Sequence, residues 1–287
     1  MINKLQPACR LGRAEIGIFG GSGLYEFFGK GKWVNIETPY GKPSDKVFLA
    51  EYKGKKIAFL PRHGRKHQFP PHKINYQANL FAFKKLGVKR IIAPAAAGSL
   101  QSNIRPGDFV VCDQFVDRTN GRADTFYPGP TAKEIVGHTH PIGVVHISSA
   151  DPYCPELRKI AIEACLKNKV RVHKTGTVVV IQGPRFSTRS ESKWFTKMGW
   201  EVISMTQYPE VILARELEMC YVNISLITDY DVGLEGHKGI KPVTTEEVMK
   251  VFGRNTENVK KVILDMIEII PEKPSCKCHE ALKGAEI

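Results

Sequence analysis

Two aspartates, two residues apart, stand where an apolar segment of the chain opens into a loop. Asp229 and Asp231 follow the run 223–227, Asn-Ile-Ser-Leu-Ile, which is typical of a buried strand. Extended residues at this spacing project to the same side, and ligands of open α/β sheets bind beyond the carboxyl ends of the strands. Such a pair could hold a nitrogen base by its N–H edge and supply a proton. Aspartate is also common in turns after strands, and taken alone this pattern favours an ordinary turn.

A second group of polar residues is strongly basic and also follows a predicted strand. Residues 61–67 read Pro-Arg-His-Gly-Arg-Lys-His. The planar guanidinium of Arg62 suits phosphate oxygens, and His63 adds a donor that can be charged or neutral. A run of charges is usually a solvated loop, but Gly64 and Pro70 indicate a loop of defined shape.

Two further strand ends carry small residues that let a ligand approach the backbone. The loop 20–23, Gly-Gly-Ser-Gly, offers backbone N–H groups and the hydroxyl of Ser22 to an anion. Its spacing is not the Gly-x-Gly-x-x-Gly of dinucleotide-binding loops, and a plain turn fits equally well. The run 95–100, Ala-Ala-Ala-Gly-Ser-Leu, follows the strand 90–94 and fits either a ligand close to the backbone or a tightly packed strand end.

An aromatic residue and a thioether complete the set of candidate ligand contacts. Phe186 lies in the loop 181–188, which Gly-Pro defines, and its ring could stack on a planar base. Met205 and Thr206 give a thioether and a hydroxyl at the next strand end. Most methionines in apolar surroundings are simply core residues.

Strands that alternate with helices position these groups, and this order predicts one α/β domain. Segments 47–51 and 56–60 flank a Lys53-Gly54 turn and predict a hairpin. A Thr-Thr-Glu-Glu cap signal begins a long final helix at 244–269. The other predicted strands are 14–20, 90–94, 108–112, 176–181, 201–204 and 223–227, and the other predicted helices are 72–86, 155–166, 188–198 and 209–219.

Composition limits the classes of protein and of partner. The 287 residues suit one large domain, which we place at 14–270, between an N-terminal arm (1–13) and a C-terminal tail (271–287). The arm lacks the apolar run of a secretory signal, and no segment is long enough to span a bilayer, so we expect a cytoplasmic protein without a membrane partner. The net charge of +13 is scattered and accompanies no nucleic-acid-binding motif, so we expect no nucleic-acid partner.

The seven cysteines of an intracellular chain are expected to be free thiols. Cys276-Lys277-Cys278-His279 differs from the others because it stands close to the chain end. It fits a strained redox pair, a partial metal site or an inert tail. Two cysteines and one histidine are too few for a zinc site, and we therefore predict no metal.

Taken together and in order, these segments resemble the 5′-deoxy-5′-methylthioadenosine phosphorylases of the trimeric purine nucleoside phosphorylase family. The resemblance covers residues 15–269. It rests on the segments IGIFGGSGLYEF, TPYGKPSD, PRHGRKH, INYQANLFA, AGSL, PGDFVVCDQFVDRT, QGPRFSTRSES, MTQYPEV and TDYD. It implies an α/β fold with a central mixed sheet, distorted toward a barrel and flanked by helices.

The resemblance also implies where phosphate and sugar bind. Inorganic phosphate would be a co-substrate, with no further cofactor, and Met205 would lie against the ribose. One position departs from the animal enzymes, in which a phosphate-contacting threonine stands where this chain has Ala95. The implied phosphate contacts are the hydroxyl of Ser22, Arg62, His63, the backbone of Ala96, and Thr206.

The resemblance also implies which residues contact the base and which contact the methylthio group. Phe186 would lie against the base, and members that act on 6-oxopurines have a glutamate and an asparagine where this chain has Ser187 and Asp229. A carboxylate accepts a hydrogen bond from the exocyclic amino group of adenine, which hypoxanthine lacks, so the chain favours a 6-aminopurine. The implied methylthio pocket comprises His67, Thr245, which replaces a valine of the animal enzymes, Val248, Met249 and His146 of a neighbouring subunit.

The implied reaction is phosphorolysis of methylthioadenosine, with phosphate as the nucleophile. Asp229 is the hypothetical acid that protonates the leaving adenine, and Asp231 would hold Asp229 or the 6-amino group. Alternatives are a phosphorylase that uses inosine, guanosine or methylthioinosine, and a non-catalytic nucleoside or phosphate sensor. A nicotinamide dehydrogenase is disfavoured by the glycine spacing.

The resemblance bears on assembly and on the cysteines as well. Members are trimers, or hexamers built from two trimers, and the sequence does not choose between them. Cys154 with Cys220, and Cys276 with Cys278, resemble disulfide positions of archaeal thermophilic members, in which intracellular disulfides are tolerated.

Overall fold

The chain folds around one branched sheet that helices cover on both faces, in a computed structural model. The structure describes residues 12–21, 29–129, 144–234, 236, 240 and 245–285. The strands are β1 (Ile16–Gly20), β2 (Gly31–Val34), β3 (Val47–Tyr52), β4 (Lys55–Pro61), β5 (Arg90–Ser99), β6 (Phe109–Val110), β7 (Gln114–Arg118), β8 (Val172–His173), β9 (Thr177–Ile181), β10 (Val202–Ser204) and β11 (Cys220–Asp229). The α-helices are α1 (Tyr76–Leu86), α2 (Pro155–Lys167), α3 (Arg189–Lys197), α4 (Gln207–Glu216) and α5 (Thr245–Ile269). The predicted α/β class with a mixed sheet is confirmed.

Strand β5 is the centre of the sheet because it pairs with three other strands. The main path runs β2-β3-β4-β1-β5-β10-β9-β7, while β11 pairs with β5 and with β6, and β6 pairs with β8. The first half of β5 lies parallel to β1, and its last residues lie antiparallel to β10. Strand β11 follows β5 in parallel register along almost its whole length. The sheet therefore branches at β5, with β11, β6 and β8 off the main path.

Alternating side chains of the strands belong to the two larger of three buried hydrophobic clusters. In β1, Phe19 belongs to one buried cluster, together with residues of α1 and α4. Its neighbour Ile18 belongs to the other cluster, together with residues of α2 and α5. This alternation is what a strand covered on both faces requires. Among the described helices, none has the length and the apolar character needed to cross a membrane.

Several predicted boundaries were wrong for identifiable reasons. Strand β5 does not end at Pro94 but continues through the alanines to Ser99, because β11 supplies a partner along the whole stretch. The predicted helix 72–86 divides into a 3-10 turn, Pro71–Lys73, and helix α1. The division is set by Asn75, whose side chain caps α1 by accepting from the backbone of Ala78.

Strands β2, β7 and β8 were not predicted at all. They are short or largely exposed, with burial patterns in which no residue is buried. Without a buried face they lack the apolar alternation that identifies a strand in a sequence. The predicted hairpin of β3 and β4 is confirmed by their antiparallel register.

The C-terminal segment is packed against the domain rather than extended from it. It forms a 3-10 turn, Cys278–Glu280, and buries Leu282 and Ala285. The six described cysteines are free, so neither disulfide implied by the resemblance is present among them.

Candidate active site

The two aspartates lie at the end of β11, but not in the extended conformation that the spacing predicts. The register of β11 shifts between Ile227 and Asp229, and Asp231 has a left-handed backbone with φ of 50°. Oδ1 of Asp229 accepts a hydrogen bond from the backbone N–H of Asp231 at 2.8 Å, and Oδ2 accepts from the hydroxyl of Thr228 at 2.7 Å. The pair is therefore a structured turn that also brings two carboxylates together.

Burial raises the pKa of Asp229 above its usual range, and the charge of Asp231 raises that pKa further. The hydrogen bonds from Thr228 and from the backbone of Asp231 act in the opposite direction. Phe186, which the resemblance places against the base, is 72% exposed. A raised pKa is what a carboxyl group needs to act as an acid near neutral pH.

Ser187 and Gly98 connect the aspartate pair to the rest of the site. The hydroxyl of Ser187 donates to Oδ2 of Asp231 at 2.6 Å, and both residues are buried. A Cβ atom at Gly98 would lie 3.0 Å from Oδ1 of Asp229. Ser187 thus orients Asp231, and Gly98 near the end of β5 lies directly beside the pair.

Strand β5 also contains a gap in an otherwise buried surface. Ala95 is partly buried and Ala96 is exposed, while every other residue of the strand is buried. Exposure in the middle of a central strand leaves backbone accessible from the surface, because methyl side chains cover little of it. The stretch between Pro94 and Gly98 spans about 13 Å at roughly 3.3 Å per residue.

Arg62 lies at the other end of this gap, and it is already engaged. The guanidinium is buried and forms two hydrogen bonds with Glu210, at 2.8 and 2.9 Å. Nη1 donates to the carbonyl of Pro94 at 3.0 Å. Because a guanidinium has five N–H groups, Nη1 and Nη2 each keep one donor for a ligand. The negative charge of Glu210 raises the pKa of Arg62, although burial opposes it.

Glu210 and Tyr221 are functional candidates that the sequence reasoning missed. Glu210 is fully buried, and its Oε1 also accepts from the hydroxyl of Tyr221 at 2.8 Å. The available signal was an acidic residue inside the mainly apolar helix α4. A buried carboxylate is almost always paired, and its partner here is the proposed phosphate ligand.

His63 is a neutral hydrogen-bond acceptor rather than a cationic donor. Its Nδ1 donates to the carbonyl of Phe69 at 2.8 Å. Burial lowers the pKa of His63 to about 4, helped by the charges of Arg62 and His67, while the Phe69 contact opposes the shift. With Nδ1 protonated, Nε2 carries the lone pair. The ring stacks on that of His67, with centroids 4.5 Å apart.

The remaining predicted site residues differ in their burial, and some lie outside the part of the chain that the structure describes. Thr206 is buried at the start of α4, and a Cβ atom at Gly183 would lie 2.7 Å from the sulfur of Met205, so the loop that carries Phe186 packs on Met205. Met249 is 61% exposed. His146 is exposed, and its backbone N–H donates to the carbonyl of Ala285 at 2.8 Å. Ser22 and the side chains of Thr245 and Val248 lie outside the described residues.

A buried cation bonded to Pro94, a carboxylate pair beside Gly98 and accessible backbone between these two positions lie along one stretch of β5. The family model of the phosphorylase superfamily matches residues 15–268. The chain therefore belongs to the phosphorylase superfamily.

Comparison with named relatives and with a solved structure shows which members of the superfamily the chain resembles. The chain is 49% identical over 277 residues to the S-methyl-5′-thioadenosine phosphorylase of Thermofilum pendens, covering 96% of this chain and 99% of that protein. It is 45% identical to the purine nucleoside phosphorylase of Streptomyces coelicolor, over 96% of each chain. The methylthioadenosine phosphorylase from Schistosoma mansoni in complex with adenine is 33% identical and superposes with a TM-score of 0.84 over 96% of this chain and 99% of that one.

Proposed function

We propose that this protein is a pentosyltransferase that cleaves 5′-deoxy-5′-methylthioadenosine with inorganic phosphate. The products are adenine and 5-methylthioribose 1-phosphate, which serve purine and methionine salvage. The proposal is supported by the relatives that carry this activity in their names. The observation that carries it is the accessible stretch of β5, with Arg62 bonded to Pro94 at one end of the stretch and Asp229 against Gly98 at the other.

The length of the accessible stretch suits a nucleoside beside a phosphate. Arg62 and His63, with Ser22, the backbone of Ala96 and Thr206, form the proposed phosphate end. Met205 is partly buried against the loop at Gly183 and is the proposed ribose contact. Phe186 is exposed and free to stack on a base. Holding two reactants in line in this way can lower the barrier by roughly 7–11 kcal/mol at best.

The proposed chemistry needs one acid at the base end. As the glycosidic bond breaks, positive charge develops on the sugar and the phosphate anion stabilises it. A phosphate oxygen then supplies the electron pair for the new bond to C1′. The leaving adenine takes a proton at N7, and Asp229 is the proposed donor because its pKa is raised. Asp231, held by Ser187, accepts from the 6-amino group. The proton and the electron pair of the broken bond both go to adenine.

The methylthio pocket and the assembly belong to the same proposal. His67, Thr245, Val248 and Met249 would line the pocket, with His146 contributed by a neighbouring subunit of a homotrimer or of a hexamer made of two trimers. Exposure of His146 and Met249 in the single chain agrees with residues that another copy covers. We place the enzyme in the cytoplasm.

Product analysis with and without phosphate tests this function. Methylthioadenosine, adenosine and inosine are each incubated with the protein, and release of free base is followed by chromatography. We expect phosphate-dependent release of adenine from methylthioadenosine, more slowly from adenosine, and least from inosine. Preferred cleavage of inosine would support the purine nucleoside phosphorylase alternative, to which the Streptomyces relative points. Binding of methylthioadenosine without base release would indicate a sensor.

A further inference from the structure

Four cysteines from three distant parts of the chain converge at one buried point. The sulfur atoms of Cys154, Cys220, Cys276 and Cys278 all lie within 4.8 Å of one another. Each residue is at most 8% exposed. The sequence predicts no metal because the Cys-x-Cys-His segment alone supplies too few ligands, and the fold adds two more thiols to it.

A defined part of the fold holds each of these thiols in place. Cys154 is the N-cap of α2, and its sulfur accepts the backbone N–H of Leu157 at 3.4 Å. Cys220 is the first residue of β11. The tail that carries the other two is attached to α2, because the N–H of Ser275 donates to Glu156 at 2.9 Å. The convergence is therefore built into the fold.

We propose that the four thiols bind one thiophilic divalent cation, Zn²⁺ in the first instance, as a structural tetrathiolate site. Zinc holds sulfur at about 2.3 Å in a tetrahedron, which places the sulfurs about 3.8 Å apart. The sulfurs of Cys220 and Cys276 are 3.3 Å apart, and no pair in the cluster exceeds 4.8 Å. The observed separations bracket the tetrahedral value.

The electrostatic surroundings suit the charge of such a site. Zn²⁺ displaces the four thiol protons, so the complex carries two negative charges. The positive end of helix α2 faces Cys154. Arg90, the register partner of Cys220 on β5, is buried, and its Nε has no hydrogen-bond partner among the described residues. None of the ion pairs between described residues includes Arg90, so a tetrathiolate would supply the countercharge on its side of the sheet.

Metal binding would also fix the position of the C-terminal tail, which contacts the backbone of His146. Downstream of Cys278, the carbonyl of Ala285 accepts the backbone N–H of His146 at 2.8 Å. The cysteine cluster is therefore connected through the tail to the backbone of His146. This inference concerns folding and does not depend on the proposed reaction.

The test is metal and thiol analysis of the full-length protein, purified with reductant and without chelator. We expect about one zinc per chain by mass spectrometry, and displacement of zinc by Co²⁺ should give the absorption bands of tetrahedral thiolate coordination. Chelation should lower the thermal midpoint by about 5 °C or more. Thiol titration of the denatured, chelated protein should give seven thiols.

Matched serine variants separate the cluster from other buried cysteines. Cys276→Ser and Cys278→Ser should lose the zinc and the cobalt bands. Cys165→Ser should keep both, because Cys165 is buried in the same core but outside the cluster. Fewer than seven thiols with no bound metal would overturn the proposal in favour of disulfide bonds. Seven thiols with no metal, even after added Zn²⁺, would also overturn it.

Discussion

At the scale of single residues, the acid at the base end depends on its immediate neighbour. Burial raises the pKa of Asp229, and the charge of Asp231 raises it further. The two residues are joined by the turn that places the N–H of Asp231 on Oδ1 of Asp229. Asp231 thus has two separable roles, because its backbone holds the turn and its side chain supplies charge.

The variant Asp231→Asn tests the charge role while it keeps the backbone contact. Loss of the neighbouring negative charge should lower the pKa of Asp229, so that the acid is deprotonated at lower pH. The alkaline limb of kcat/KM should therefore move to lower pH, with a several-fold loss of activity at alkaline pH. The measurement is the pH profile of kcat/KM for methylthioadenosine.

Asp151→Asn is the control, because it removes the same charge from an exposed position. That variant should keep the profile of the unmodified protein. An unchanged alkaline limb in Asp231→Asn would refute the role of Asp231 in setting the pKa of Asp229.

At the scale of elements, β5 and α4 hold the phosphate end together through one buried ion pair. Glu210 of α4 orients Arg62, and Arg62 in turn contacts the carbonyl of Pro94 in β5. Both side chains of the pair are almost fully buried. Removal of one partner from a buried pair of this kind strongly destabilises the folded protein.

We expect Glu210→Gln to damage both stability and phosphate use. An uncompensated buried guanidinium should cost roughly 3–5 kcal/mol of unfolding free energy. A misplaced Arg62 should raise KM for phosphate more than KM for methylthioadenosine. Urea unfolding and initial rates at varied phosphate concentration measure the two effects.

Glu257→Gln provides a matched control from an exposed ion pair, in which Glu257 contacts Lys260 on α5. Its cost should be about 1 kcal/mol or less, with no change in either KM. Equal effects of the two glutamate variants would exclude Glu210 as a positioning residue.

The elements that carry the site were predictable to different degrees. Strands β1, β9 and β11 are apolar runs covered on both faces, so their residue types identify them. The end of β5 was misjudged because three alanines and a glycine carry no strand signal of their own, and only the pairing with β11 fixes their conformation. The bond between Ser187 and Asp231 joins residues 44 positions apart, so it was invisible before the fold was known.

At the scale of the whole molecule, a carboxyl group outside the site makes folding sensitive to pH. Glu216 ends α4 and accepts hydrogen bonds from the hydroxyl of Thr125 and the N–H of Phe126, at 2.7 and 2.6 Å. Burial raises the pKa of Glu216 to about 7, the charge of Asp124 adds to the shift, and the two hydrogen bonds oppose it.

Stability should therefore fall as pH rises between about 4.3, the pKa of an unfolded glutamate, and the folded value of about 7. In this window the unfolded chain loses its proton first, which favours unfolding. The loss of stability is complete above the folded value and amounts to roughly 4 kcal/mol. Glu216→Gln should reduce the difference between thermal midpoints at pH 5 and pH 8. The exposed variant Glu163→Gln should leave it unchanged, and equal pH dependence in both variants would contradict the assignment.

The tautomer of His63 has a consequence for which oxyanions the protein accepts. With Nδ1 bound to the carbonyl of Phe69, the ring offers its ligand only a lone pair. Hydrogen phosphate carries a proton that can satisfy this lone pair, whereas sulfate at neutral pH has none to give. A histidine in this tautomer discriminates between anions by whether they carry a proton to donate, and not by their charge or size. At the proposed phosphate end, this tautomer should favour hydrogen phosphate over sulfate.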